Sequence, residues 1–413
     1  MDKNLKHNYI VNLVDGGFFG VAMGFASFSA IIPLFMMTLT DSAILIGMIP
    51  AIHSMGWQLP QLFMAKRTSK QTLYKPLVVM LSIHERVPFL GLAIVALLAP
   101  HISKNLAIVL TMLMLVWQGL GGGIAGNGWQ NLIAKIIPSA YLATFFGLQS
   151  SAMSLFSSIG SVFAGNLLAV THQTDGFVIC FAIAGVSTII SLMFLNLTRE
   201  EAHYVVTQGE HHLPLTELIK NTLSTNRPFA WFLVSRILTQ FGMMGISFYI
   251  VYTVRYFNMS TVTAGIMTGI LMFTQVIANI ALGWLSDHWM RKNVLIIGTL
   301  CASISAMLAA FVTNLNWFYV IFIFAGIAAT TSWIIAMAFT MDFGKQNERP
   351  LYVGMANTIM APSTILAPIL GGWIADTFSY QSTFLTSAAC AVAASLILLI
   401  FVHQHKRPEP LLA

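Results

Sequence analysis

Five ionisable side chains stand inside long apolar stretches of this chain: Asp15, His53, Glu85, Arg86 and Arg236. Charge placed in a hydrocarbon layer is costly, and groups that carry it usually face a bundle interior or a watery cavity, where they pair or do chemistry. Asp15 shares the spacing i, i+3, i+4, i+7 with Asn12, Gly16 and Phe19, so an amide and a carboxylate fall on one helical stripe. That makes Asp15 a candidate for binding a proton or a substrate. Its bland alternative is a structural acid near an inner gate. Arg236 is the counterpart in role: it could hold an anionic substrate, or pair with Asp15 in a bond that breaks when the protein changes state. The run His84-Glu85-Arg86 points three ways, since helical neighbours diverge by about 100°. A buried structural network is the simpler reading of Glu85 and Arg86; a proton relay with His53 is the functional one. Gln118, in a glycine-rich run with Asn127, Gln130 and Asn131, and Trp333 further on complete the candidate ligands.

The elements that must position these residues follow from composition. The chain has 413 residues, 57% hydrophobic and 8% charged, with mean hydropathy +0.79. A soluble protein carries roughly 25% charged residues, so this one is expected to cross a membrane many times. A span needs about 20 apolar residues. Twelve stretches qualify: 9–38, 42–65, 76–99, 106–135, 142–170, 177–197, 229–257, 264–286, 294–312, 317–341, 351–376 and 383–402. With the N-terminus inside the cell, sixteen of the 20 Lys and Arg fall in inner loops. Only Lys104 and Arg255 fall outside, and Arg86 and Arg236 lie within spans. Positive charge gathers on the cytoplasmic side, so twelve spans with both termini inside are expected. The first apolar run is too long for a cleavable signal and is expected to be retained.

One long loop, 198–226, divides the spans six and six, and predicts an N-terminal bundle over 1–197, a linker over 198–227 and a C-terminal bundle over 228–413. His203, His211 and His212 in it suit a solvated linker better than a metal site. Leu215, Leu218, Ile219 and Leu223 predict a short interfacial helix. The halves repeat. Gly20, Gly47 and Gln61 precede Gly242, Gly269 and Gly283 by a constant 222 residues, and Gly147 and Gly165 precede Gly354 and Gly372 by 207. Such spacing predicts a duplicated pair of helical bundles. The cysteines Cys180, Cys301 and Cys390 all fall in apolar runs and have no disulfide or metal spacing.

The most specific stretch is Gly283-Trp284-Leu285-Ser286-Asp287-His288-Trp289-Met290-Arg291-Lys292-Asn293-Val294-Leu295. It resembles the cytoplasmic loop motif of the major facilitator superfamily, Gly-x-Leu-Ala-Asp-Arg-x-Gly-Arg-Lys-x-x-Leu. Gly283, Leu285, Asp287, Arg291, Lys292 and Leu295 match; His288 and Met290 depart. The resemblance places this copy between helices eight and nine. The corresponding first loop holds Ala65 and Ser69 in place of the acid and the arginine. Asp342 and Arg349 resemble the acid-x6-Arg element of sugar porters, and the run Ala367–Gly372 resembles a helix pattern of drug–proton antiporters, displaced to helix eleven. The resemblance implies an all-α membrane fold of twelve helices in two pseudo-symmetric six-helix bundles. It also implies helices one, four, seven and ten around a cavity.

The expected function is secondary active transport of a small organic solute by alternating access, with a proton as the coupling ion. Direction stays open between sugar-like uptake and efflux of a drug or amphiphile. The other class is a polytopic receptor or membrane enzyme; a receptor would carry a larger tail, and no enzyme motif is present. Asp287, Arg291, Lys292, Asp342 and Arg349 are expected to gate the inner side, through helix-end dipoles and opposite charges. No cofactor, metal or nucleic acid is expected. The partners are the solute, the proton and membrane lipid, and the protein is expected to be a monomer in the cell membrane.

Overall fold

The structure is a computed structural model that describes residues 3–28, 30–40, 43–171, 174–202, 215–258, 261–346 and 348–403. His203, His211, His212, Lys406 and Arg407 lie outside the described residues. In lipid every backbone polar group must be satisfied internally, and helices do this within a single segment. Among the described residues all regular structure is helical, and ten helices are long and apolar enough to cross a membrane. The protein is a multi-pass membrane protein.

The two expected spans missing from those ten are present as broken helices. The first is α1 (Lys3–Phe25) followed by α2 (Ile31–Leu39); the second is α3 (Ala43–Gln58) followed by α4 (Gln61–Ser69). Pro60 makes the second break, because it has no N–H to donate and its ring crowds the preceding turn. The twelve-helix architecture therefore holds, with the breaks in its first two members.

The chain divides into two compact units. The first comprises residues 1–137, 149–206 and 346–361. It contains α1 to α4, α5 (Lys75–Leu98), α6 (Lys104–Ile136), most of α7 (Leu142–Val170), α8 (Asp175–Asn196) and the start of α16 (Arg349–Thr377). Within it α5 packs on α6 and α8, and α1 on α8. Its core gathers Phe35, Phe89, Leu92, Leu115, Phe177 and Phe181.

The second unit comprises residues 138–148, 207–345 and 362–413. It contains the first residues of α7, then α9 (Leu215–Thr225), α10 (Arg227–Gly242), α11 (Tyr249–Phe257), α12 (Thr261–His288), α13 (Arg291–Phe311) and α14 (Trp317–Thr330). A π-helical turn, Thr331–Ile335, joins α14 to α15 (Ala336–Thr340), and the rest of α16 and α17 (Tyr380–Phe401) complete it. Here α10 and α13 pack on α17, and Tyr249, Tyr252, Phe318, Phe322 and Phe384 form the aromatic core. The short helix expected within the loop 198–226 is α9.

The repeat glycines identify two equivalent crossings, one inside each unit. A Cβ on Gly147 of α7 would collide with the carbonyl oxygen of Asn279 on α12. A Cβ on Gly354 of α16 would stand 2.8 Å from the carbonyl oxygen of Gln61 on α4. Only glycine permits backbones to approach this closely. The second crossing also mends the break at Pro60. Thr358 of α16 donates its hydroxyl to the carbonyls of Leu59 at 3.2 Å and Gln58 at 3.3 Å, and accepts the N–H of Leu62 at 3.2 Å.

Candidate functional site

Asp15 and Arg86 meet because they lie at the same depth. Asp15 is twelve residues into α1 and Arg86 eleven into α5, about 16–18 Å from each helix start. In the first unit Arg86 Nη2 stands 3.6 Å from Asp15 Oδ1, and Nη1 stands 3.4 Å from Glu85 Oε2. Ser191 of α8 donates to Asp15 Oδ1 at 2.6 Å. Arg86 also donates to the carbonyls of Thr188 at 3.2 Å and Ser82 at 3.4 Å, and to Ser191 Oγ at 3.3 Å. The Phe19 ring covers its guanidinium at 5.6 Å, so the stripe expected on α1 closes over this cluster. Glu85 sits against α6, where a Cβ on Gly122 would come within 2.8 Å of Oε1.

All three side chains are shielded, Asp15 and Arg86 at 6% exposure and Glu85 at 13%. Two carboxylates share one cation. A proton on either carboxylate leaves the cluster neutral, and its loss leaves a net negative charge in the membrane interior. Such a proton belongs to the pair rather than to one residue.

Asp15 pairs with Arg86, and both groups meet Ser191 of α8. His53 does not reach Glu85 as a relay would require. Its Nδ1 lies 2.9 Å from Gln118 Oε1, and its ring stacks on Phe28 at 4.0 Å. Gln118 is fully buried in that contact. His84 faces outward and accepts the indole N–H of Trp117 at 3.3 Å. Asn12 is fully buried too and donates to Thr198 Oγ1 at 3.1 Å. Trp333 lies in the π-helical turn with 45% exposure.

The charged loop builds a second cluster inside the second unit. Asp287 accepts the backbone N–H groups of Ala143 at 3.2 Å and Thr144 at 2.6 Å. These are early donors of α7, which a preceding residue's own side chain would ordinarily cap. Arg291 donates to Asp287 at 2.9 Å, to Asp342 at 2.8 Å, and to the carbonyls of Ser139 at 2.8 Å and Ala338 at 2.9 Å. The side chains of Asp287 and Arg291 are fully buried.

Lys292 and Arg349 each reach a helix end. Lys292 donates to the Leu399 carbonyl at the end of α17 at 3.0 Å. Arg349, in the first unit, donates to the Ala134 carbonyl near the end of α6 at 3.1 Å. Both are cations at helix C-termini, where the backbone dipole favours them.

At the corresponding crossing in the first unit, amides replace the charges. Asn357 donates to Gln61 Oε1 at 2.6 Å, Gln130 donates to the same oxygen at 3.3 Å, and Asn127 donates to the Pro350 carbonyl at 2.7 Å. Sequence reasoning also missed Glu200, which accepts the N–H groups of Tyr74 at 2.8 Å and Lys75 at 2.7 Å, capping α5, and pairs with Lys135 at 2.7 Å. Burial, with the nearby Glu200 charge and against that of Arg349, pushes the Tyr74 hydroxyl up to about 12. The one available signal was the acid next to Lys- and Arg-rich inner loops.

Residues 85–254 and 232–412 match the family model described as Major Facilitator Superfamily. The chain belongs to the major facilitator superfamily. Among curated superfamily relatives, the tetracycline resistance protein, class H, of Pasteurella multocida is 31% identical over 143 residues, covering 35% of this chain and 36% of that protein. Multidrug resistance protein 1 of Bacillus subtilis is 26% identical over 152 residues, 37% of this chain and 39% of that protein. The matched stretches thus span little more than a third of those relatives. The E. coli fucose:proton symporter FucP superposes with TM-score 0.78 over 98% of this chain and 100% of its own, at 14% identity. The proton:xylose symporter XylE superposes with TM-score 0.74 over 97% of this chain and 96% of its own, at 16% identity. These two share the superfamily fold.

Proposed function

We propose that the protein is a proton-coupled secondary transporter that exports a small amphiphilic solute by alternating access. The Asp15–Arg86–Glu85 cluster carries this reading. It is a shielded site whose charge balance changes with a single proton, at mid-depth in helices that cross the membrane. A proton taken up there removes a buried negative charge, and its release restores one, so protonation biases any state that changes the cluster's access to water. The superfamily is one of transporters rather than enzymes. Its sequence relatives named here are resistance proteins, which supports export.

The Asp287–Arg291–Asp342 cluster and the Gln61–Asn357 amides are the two closures of the inner gate. Each ties helices from opposite halves of the sequence: α12 to α7, and α4 to α16. The termini and both closures face the cytoplasm in this reading, in keeping with the bias of the basic residues.

Proteoliposomes with an imposed pH gradient test it. Asp15→Asn and Glu85→Gln should each lose gradient-driven accumulation of a solute that the parent protein moves, while retaining exchange of that solute down its own gradient. Gradient-driven transport at parental rates in both variants would remove the cluster from proton coupling.

A further inference from the structure

Among the described residues Arg236 has no counter-charge. The buried guanidinium groups of Arg86 and Arg291 each meet two carboxylates. Arg236 meets none among the described residues, and its Nε is buried with no hydrogen-bond partner. It lies nine residues into α10, about 13 Å from the helix start. Only 8% of its surface remains open. The Phe232 ring lies 5.9 Å from its guanidinium carbon. Phe232 in turn packs edge-on against Phe339 at 5.1 Å and stacks on Phe343 at 5.2 Å, so the side toward the helix start is filled by aromatic rings. An arginine does not shed its proton to escape burial, so its charge stays. A buried charge without a partner is among the most costly features a fold can keep.

We infer that Arg236 is the anion-binding residue of the solute site, and that the solute carries a carboxylate, sulfonate or phosphate beside an apolar body. The anion supplies the missing counter-charge and accepts from the unsatisfied Nε–H. The inference rests on the transporter reading, though its test needs no transport.

Thermal unfolding of the full chain in neutral detergent is followed with benzoate, benzenesulfonate and phenyl phosphate. Benzamide at equal concentration, with ionic strength matched by sodium chloride, is the neutral control. At least one anion should raise the unfolding temperature where benzamide does not, because a ligand that binds only the folded state stabilises it. Arg236→Met should abolish the rise, and Arg236→Lys should keep part of it. Without ligand, Arg236→Met should unfold at or above the parental temperature, since it removes an unpaired buried charge. In nanodiscs, phosphatidylglycerol is compared with phosphatidylcholine. A rise with phosphatidylglycerol that Arg236→Met removes, while the small anions are silent, assigns the anion to a lipid headgroup. Absence of any response, an equal response in Arg236→Met, or a lower unfolding temperature for ligand-free Arg236→Met overturns the proposal. If anions bind through Arg236 and none is moved across proteoliposomes, the site stands and the transporter reading falls.

Discussion

Replacing Asp287 by Asn should open the inner gate without unfolding the protein. The carboxylate accepts two N–H groups from the start of α7, at 2.6 and 3.2 Å, and one from Arg291. Arg291 sits four residues further along, so that ion pair can persist when α7 moves away. The closed state owes Asp287 chiefly its two bonds to α7. A hydrogen bond to a charged group contributes about 1.5–3 kcal/mol, and a helix N-terminus adds about 0.3–1 kcal/mol for a nearby negative charge. Asn keeps one acceptor oxygen and no charge. With part of the loss offset by easier desolvation, the closed state should weaken by about 2–3 kcal/mol, or roughly 30- to 150-fold in population at 1.4 kcal/mol per decade.

Ala143 is a suitable reporter, because its side chain is fully buried beside that contact. With Cys180, Cys301 and Cys390 replaced, Ala143→Cys is labelled by an impermeant maleimide applied to the cytoplasmic face. Asp287→Asn should raise the labelling rate at least tenfold. A rate within twofold of the parent would show that Asp287 does not hold α7, and the charged loop would then be a feature of the fold alone.

Three further outcomes are expected. Ala65→Asp should not restore a matching latch: Ala65 is 2% exposed, its Cβ faces Gly354, and Ser69 supplies no guanidinium, so an unpaired buried carboxylate should lower the unfolding temperature. Gly147→Ala places a methyl against the Asn279 carbonyl and should loosen the same closure as Asp287→Asn, by about 1–3 kcal/mol, visible as faster labelling at Ala143→Cys. Tyr74 ionises near 12 in the folded protein against about 10 when unfolded, so the unfolded state loses its proton first. Stability should therefore fall as pH rises from about 10 to about 12, by at most about 2–3 kcal/mol, and Tyr74→Phe should flatten that part of the profile of unfolding temperature against pH.

The sequence by itself determined the span count, the membrane class and the one charged loop. Hydropathy is summed over about 20 neighbouring residues, and the Asp287–Arg291 pair is a local i, i+4 contact, so neither needs tertiary information. The repeat glycines were legible for the same reason, as spacings along the chain, though not the partners they meet. Tertiary structure alone decided those partners. Asp15 goes to Arg86 and Ser191, His53 to Gln118, and Lys292 to the end of α17. Asp287 caps a helix that begins far earlier in the chain, and Glu200 leaves the expected linker to cap α5. Each outcome depends on the rotation of a helix about its axis and on where it crosses a neighbour. Those quantities come from packing over the whole bundle, and a count of residues between two charges does not contain them.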